Sequence, residues 1–258
     1  MKQKSRNWSR EELIVAFNLY CRMPFGSIDK SNNDIIEVAK CINRTPSALA
    51  MKMVNFTRFD PYHKQRNVKG LQHGSKQDKI IWDEFHEDWT SLAYESQKSL
   101  NKLSKISKRD YSKQESLLGR DIITETQRMT RVRLVQNFFH DAVLSSYGYS
   151  CAVCKISLYK LLNASHIIPW SVNKLRRADP SNGLSLCVFH DRAFDRGLFT
   201  VDHEYKIVLS KEAKQVIDAP KLYRVGLQEI EGDKLNLPKK FNPDKEALAY
   251  HREKIFLQ

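Results

Sequence analysis

The stretch CAVCKISLYKLLNASHIIPWSVNKLRRADPSNGLSLCVFHDRAFDRGLFTVD, residues 151–202, decides how the rest of the chain is read. It opens on Cys151 and Cys154 in a CxxC pair, passes His166 and Asn182, and closes on Cys187 and His190 in CxxH. Zn²⁺ takes four tetrahedral ligands from thiolate sulfur and imidazole nitrogen, and two turns of x₂ spacing offer two ligands each. Roughly thirty residues separate these knuckles, more than in most small fingers, so the insert must have a task of its own. The competing reading is two thiol pairs buried in a reduced core.

The insert has the pattern of a hairpin followed by a helix. Leu161 to Ile168 is apolar and strand-like, a loop runs through Pro169, Pro180 and Gly183, and Leu184 to Val188 suits a second strand. A helix is expected from about His190, stopping at Gly197. On it Asp191 and Asp195 are four apart, so they share a face that can look at His166.

SHIIPW followed by DPSNGLSLCVFHDRAFDRGLFTVD resembles the HNH nuclease motif, a zinc-stapled ββα element carrying one catalytic metal, as found in restriction and phage-defence endonucleases. The resemblance is dense over these fifty or so residues. It extends loosely to Arg131 upstream and to LAYHREKIF downstream. It implies His166 as general base on the attacking water and Asn182 as the residue that pins the loop. Asp191, just after the fourth zinc ligand, is the implied ligand of the catalytic metal, and Asp195 is either a second ligand or a helix anchor. Many relatives place Asp, Glu or His before the base, whereas this chain has Ser165, a weak ligand. The resemblance also implies 3′-hydroxyl and 5′-phosphate products.

The chemistry stands without the family. Phosphodiester hydrolysis needs a base near water and a cation that neutralises developing charge. A neutral histidine suits the first role, and Mg²⁺ or Mn²⁺ on one or two carboxylates suits the second. His190 could instead hold the catalytic metal, although CxxH closes a zinc set more economically. Asp191 and Asp195 have the alternative of acting as helix-start charges or partners of Arg192 and Arg196.

The 258 residues carry a formal net charge of +13, with 41% apolar and 28% charged residues, which suits a globular protein with a polyanionic partner. DNA is the favoured partner, because each neutralised phosphate releases counterions. A membrane is not, since no long basic amphipathic helix or transmembrane run stands out. The start MKQKSRNW lacks an apolar signal core, so a cytoplasmic location is expected. Five cysteines, with Cys21 and Cys41 isolated, fit reduced thiols plus zinc better than a disulfide framework.

The expected fold class is α+β and mostly helical, in three parts: a helical DNA-reading module at 1–62, a helical connector with a basic linker at 63–118, and a nuclease domain at 119–258. In the first part, Ser9 with Glu12 and Ser31 with Asp34 have start-signal spacing, and Thr45-Pro46 caps a third helix. Only Asn43 and Arg44 separate the second and third helices, as a helix-turn-helix requires. Its exposed Ser47, Lys52, Asn55 and Arg58 are then candidate groove contacts. A three-helix module docking on protein is the alternative.

A helix is expected from Asp78 to about Leu103. The basic run from Lys98 to Lys113 is either a phosphate-contacting linker or a solvated helix face. Thr124 to Tyr147 reads as a helix packed behind the zinc element, with Arg131 facing DNA. Lys174, Arg176 and Arg177 beside Trp170 form either a phosphate clamp or a solvated loop. After Asp202, EYKIVLS suits an edge strand, and a last helix runs from Asp244 to Phe256. His251 and Arg252 are read there as packing or surface residues.

The expected function is a metal-dependent DNA endonuclease of restriction or phage defence, monomeric or as a possible homodimer. A zinc-bearing DNA-binding regulator without cleavage, and a homing nuclease, are the alternatives.

Overall fold

The computed structural model describes residues 7–61, 63, 75–104 and 125–257. Most of the connector, the basic run beyond residue 104 and the expected boundaries near 62 and 118 lie outside them. The chain forms two compact units, Met1–Gln136 and Asn137–Gln258. The described residues form a helix-rich α+β fold with two small antiparallel sheets.

Helices α1 (Arg10–Cys21), α2 (Asn33–Cys41), α3 (Pro46–Phe56), α4 (Lys76–Phe85) and α5 (Trp89–Leu103) build the first unit. The expected capping box starts α1, with Ser9 Oγ accepting from Glu12 N–H and Ser9 N–H donating to Glu12 Oε2. Thr45 caps α3 with Pro46 behind it. Asn32, not Ser31, caps α2, because Ser31 Oγ is committed to Asp29 at 2.6 Å. Asn43 takes the left-handed φ of 54° that turns the chain between α2 and α3.

The three helices do not close a core by themselves. Phe17 of α1 sits 4.9 Å from Phe56 of α3, 5.2 Å from Trp82 of α4 and 6.3 Å from Trp89 of α5 (ring centroids). Two further helices thus complete the apolar cluster. This overturns the reading of Lys52 and Asn55 as exposed DNA contacts. Both are buried, and Lys52 Nζ donates to the buried Asp78 carboxylate at 2.9 and 3.2 Å, because α4 covers that side of α3. Arg58 is half-buried beside the Phe59 ring, while Ser47 stays exposed.

The second unit is organised by a hairpin of β1 (Leu162–His166) and β2 (Gly183–Cys187), followed at once by α7 (Val188–Asp195). Helix α6 spans Glu125–Ser146. Its Phe139, Val143 and Leu144 share one core with Leu162, Ile167, Leu184, Leu186 and Phe194. Gly183 lies opposite His166 in the hairpin, and a Cβ there would meet Val143 Cγ2 at 2.5 Å and Phe139 Cζ at 2.8 Å. Glycine is what lets α6 press on β2.

Helix α7 starts two residues before the expected His190. It stops where expected, at Gly197 with φ 69°, where a Cβ would strike the Ile255 carbonyl. The chain continues through β3 (Phe199–Val201), β4 (Ile207–Leu209), α8 (Lys211–Lys214), α9 (Lys221–Gly226) and α10 (Lys245–Lys254). EYKIVLS supplies β4, paired with β3, and Asp244 caps α10. Among the described residues no helix is long and apolar enough to cross a membrane.

Candidate functional site

Cys151, Cys154, Cys187 and His190 converge so that one ligand atom from each lies within 4.8 Å of the others. His190 Nδ1 is 3.1 Å from Cys187 Sγ and 3.6 Å from Cys151 Sγ, and Cys154 and Cys187 sulfurs are 3.9 Å apart. Ligand atoms of a tetrahedral zinc, with Zn–S of about 2.3 Å and Zn–N of about 2.0 Å, lie roughly 3.5–3.8 Å from one another.

The geometry of the first knuckle comes from a tight turn, with Cys151 N–H on Ile156 O and Lys155 at φ 62°. The second sits at the β2–α7 junction, where Cys187 is the helix N-cap. His190 Nε2 lies 2.7 Å from Gly226 O; a carbonyl only accepts, so Nε2 carries the hydrogen and Nδ1 offers its lone pair to a metal. A hydrogen bond from Cys151, chiefly, holds the Cys187 thiol well below its ordinary value, against its burial. The donor set fits zinc, and the Gly226 contact is a fixing partner that residue spacing could not reveal.

A cleft of about 630 Å³ opens beside β1 and α7. His166, Ser165, Asp191 and Asp195 all line it, together with Asn163, Trp170 and His140. The His166 ring stacks on Phe139 with centroids 3.7 Å apart and meets the Trp170 ring edge-on at 5.6 Å. Its Nε2 lies 3.0 Å from Arg177 O, so Nε2 carries the hydrogen and the neutral ring keeps its lone pair on Nδ1. Burial, chiefly, lowers its pKa from the ordinary 6.5, and the Arg177 charge adds to this.

Asn182 is buried and clamps the loop that leaves β1. Its Oδ1 accepts from Ile168 N–H at 2.9 Å, and its Nδ2 donates to Ile168 O and Arg176 O. Asp191 accepts from Asn163 Nδ2 at 2.7 Å. Asp195 is exposed at the cleft, and its pKa is raised by partial burial and then by the Asp191 charge. A carboxylate whose ionisation is opposed by a neighbouring carboxylate is a place where a cation is favourable. The Ser165 hydroxyl is buried and has no hydrogen-bond partner among the described residues.

The basic loop divides. Arg176 is held by Asp179 at 3.1 Å and by Asp244 at 2.8 Å, so two carboxylates share the guanidinium that the sequence offered as a phosphate clamp. Arg177 donates to Trp170 O and lies over the Trp170 ring at 4.8 Å. Lys174 is exposed. Arg131 belongs to the first unit and lies over the Tyr94 ring at 4.6 Å. His251 is a packing residue, stacked on Phe194 at 3.7 Å and bonded to Thr200 Oγ1. His140 was not singled out in the sequence; its only signal there is a His-Asp pair on the flank of the apolar stripe of α6.

A four-ligand Cys/His cluster that joins a β-hairpin to a short helix, with a histidine and two carboxylates in the adjoining cleft, defines a metal-stapled ββα element. Residues 151–202, a fifth of the chain, match the family described as HNH endonuclease, in agreement with the resemblance read from the sequence. No curated protein matches the chain.

Proposed function

We propose that the protein is a metal-dependent endonuclease that hydrolyses DNA phosphodiesters. The observation that carries this reading is the setting of His166: Nε2 tied to Arg177 O, the ring stacked on Phe139, and Nδ1 left as the basic atom in a cleft shared with Asp191 and Asp195. His166 takes the proton of the attacking water, and Asn182 positions it by holding the loop. Cys151, Cys154, Cys187 and His190 bind a structural zinc that fixes β1, β2 and α7.

Asp191 and Asp195 are the residues that would hold a Mg²⁺ or Mn²⁺ ion, with Ser165 adding at most its hydroxyl. Such an ion neutralises charge on the phosphate and the leaving oxygen. Lys174 and the net charge of +13 supply attraction to the DNA backbone, and the first unit is the candidate DNA-reading part. We assign the activity to restriction or phage defence in the cytoplasm, with a homodimer as the form that cuts both strands.

The test is cleavage of supercoiled plasmid and of modified phage DNA with Mg²⁺ or Mn²⁺, with EDTA, and with His166→Ala. Metal-dependent nicking or linearisation that His166→Ala abolishes is the expected result. Intact DNA with binding retained would favour a zinc-scaffold regulator, the reading supported by Ser165 standing where many members of the resembled family place a carboxylate or histidine ligand.

A further inference from the structure

Two histidines outside the matched segment line the cleft, His251, which is buried in packing, and His140, which is not. His140 is on α6, immediately after the Phe139 ring that supports His166, and it lines the same cleft as His166, Asp191 and Asp195. Its Nδ1 lies 3.1 Å from Asp141 Oδ1. An ionised carboxylate only accepts, so Nδ1 carries a hydrogen, and Nε2 is the atom left to face a ligand. Nε2 makes no hydrogen bond among the described residues, and the side chain is 39% exposed, so substrate can reach it. The Tyr159 ring stands edge-on to the imidazole at 6.1 Å and limits its swing.

The two rings therefore present opposite nitrogens. His166 has Nε2 tied to a carbonyl and Nδ1 for the cleft, whereas His140 has Nδ1 tied to a carboxylate and Nε2 for the cleft. A role for His140 as metal ligand is the weaker option. Among the described residues, only the Cys/His cluster brings three or more ligand groups to metal-binding distance, and His140 with the cleft carboxylates does not.

We propose that His140 is the proton donor to the leaving oxygen, an inference that rests on the nuclease reading above. Water attacks phosphorus and gives its proton to His166 Nδ1. The P–O3′ bond breaks, and the departing O3′ takes the proton from Nε2 of doubly protonated His140. The products are a 3′-hydroxyl and a 5′-phosphate, and solvent returns His140 and His166 to their starting forms. Asp141 is a positioning residue that holds the ring by Nδ1.

The experiment compares a normal DNA substrate with one whose scissile 3′-oxygen is replaced by sulfur, a leaving group that departs without protonation, both in Mn²⁺. Wild type, His140→Ala, His140→Gln and His166→Ala are assayed under single-turnover conditions, with melting temperature and zinc content as controls for folding. His140→Ala and His140→Gln are expected to lose on the order of 10²–10⁴-fold on the oxygen substrate, the usual worth of a general acid, and under tenfold on the sulfur substrate. His166→Ala is expected to lose on both.

Equal losses on both substrates by folded His140 variants, or no loss on either, would overturn the assignment while leaving the nuclease reading intact. A wild-type protein that cuts neither substrate would overturn both.

Discussion

At the scale of single residues, chemistry on this chain depends on which partner each side chain already has. His251 shows this through pH. Burial, chiefly, holds its pKa down to about 4, so the folded protein keeps a neutral ring that the unfolded chain protonates near 6.5. The resulting stability is fully present above pH 6.5 and is lost as pH falls from there to about 4, a change of roughly 3 kcal/mol. Denaturant melts of wild type and His251→Gln at pH 7 and pH 4.5 check this. Wild type should lose more than the variant, and parallel pH profiles would contradict it. The zinc set was legible in the sequence because x₂ spacing is local geometry. Lys52 and Arg176 were not, because their partners Asp78 and Asp244 lie 26 and 68 positions away, and nothing in a basic residue announces a distant carboxylate.

At the scale of elements, the hairpin and α7 are held by the cluster at one end and by α6 pressing on Gly183 at the other. Helix starts were readable where a cap and its N3 partner lie together, as in Ser9 with Glu12, and misread where two capping residues adjoin, as in Ser31 and Asn32. The helical periodicity of α1 identified a buried face but not what covers it, and so α4 and α5 were not foreseen as its partners. Removing the metal tests the staple. Chelation, or Cys187→Ser, is expected to lower the melting temperature of the Asn137–Gln258 unit by more than about 10 °C, since structural zinc contributes folding energy directly. It should also speed amide exchange around Gly226, whose carbonyl His190 holds. An unchanged melt with zinc stripped would remove the staple from the account.

At the scale of the whole molecule, a net charge of +13 predicts DNA affinity that falls linearly with the logarithm of salt concentration. Exposure and partners set which cations are expected to contribute to that slope. Lys174→Ala should reduce it by about one counterion and leave stability alone, because the side chain is exposed. Arg176→Ala should leave the slope nearly unchanged and cost about 1–3 kcal/mol, because its guanidinium serves Asp179 and Asp244. Filter binding over a salt series, beside denaturant melts, separates the two; the opposite pattern would return Arg176 to the DNA. Overall charge named a polyanionic partner from sequence alone, but assigning it to particular side chains required the fold.

The bond from Arg176 to Asp244, and the seating of Gly197 against Ile255, also set a timetable for synthesis. Ribosomes emit the amino-terminal part first, at about 5–20 residues per second. His140, His166, Asp191 and Asp195 all precede Asp244, and the loop that follows His166 is braced by the N-cap of α10. A nascent chain thus holds all the reactive groups for several seconds before the brace arrives. On the nuclease reading, the side chains of the cleft are therefore made before the contacts that brace it.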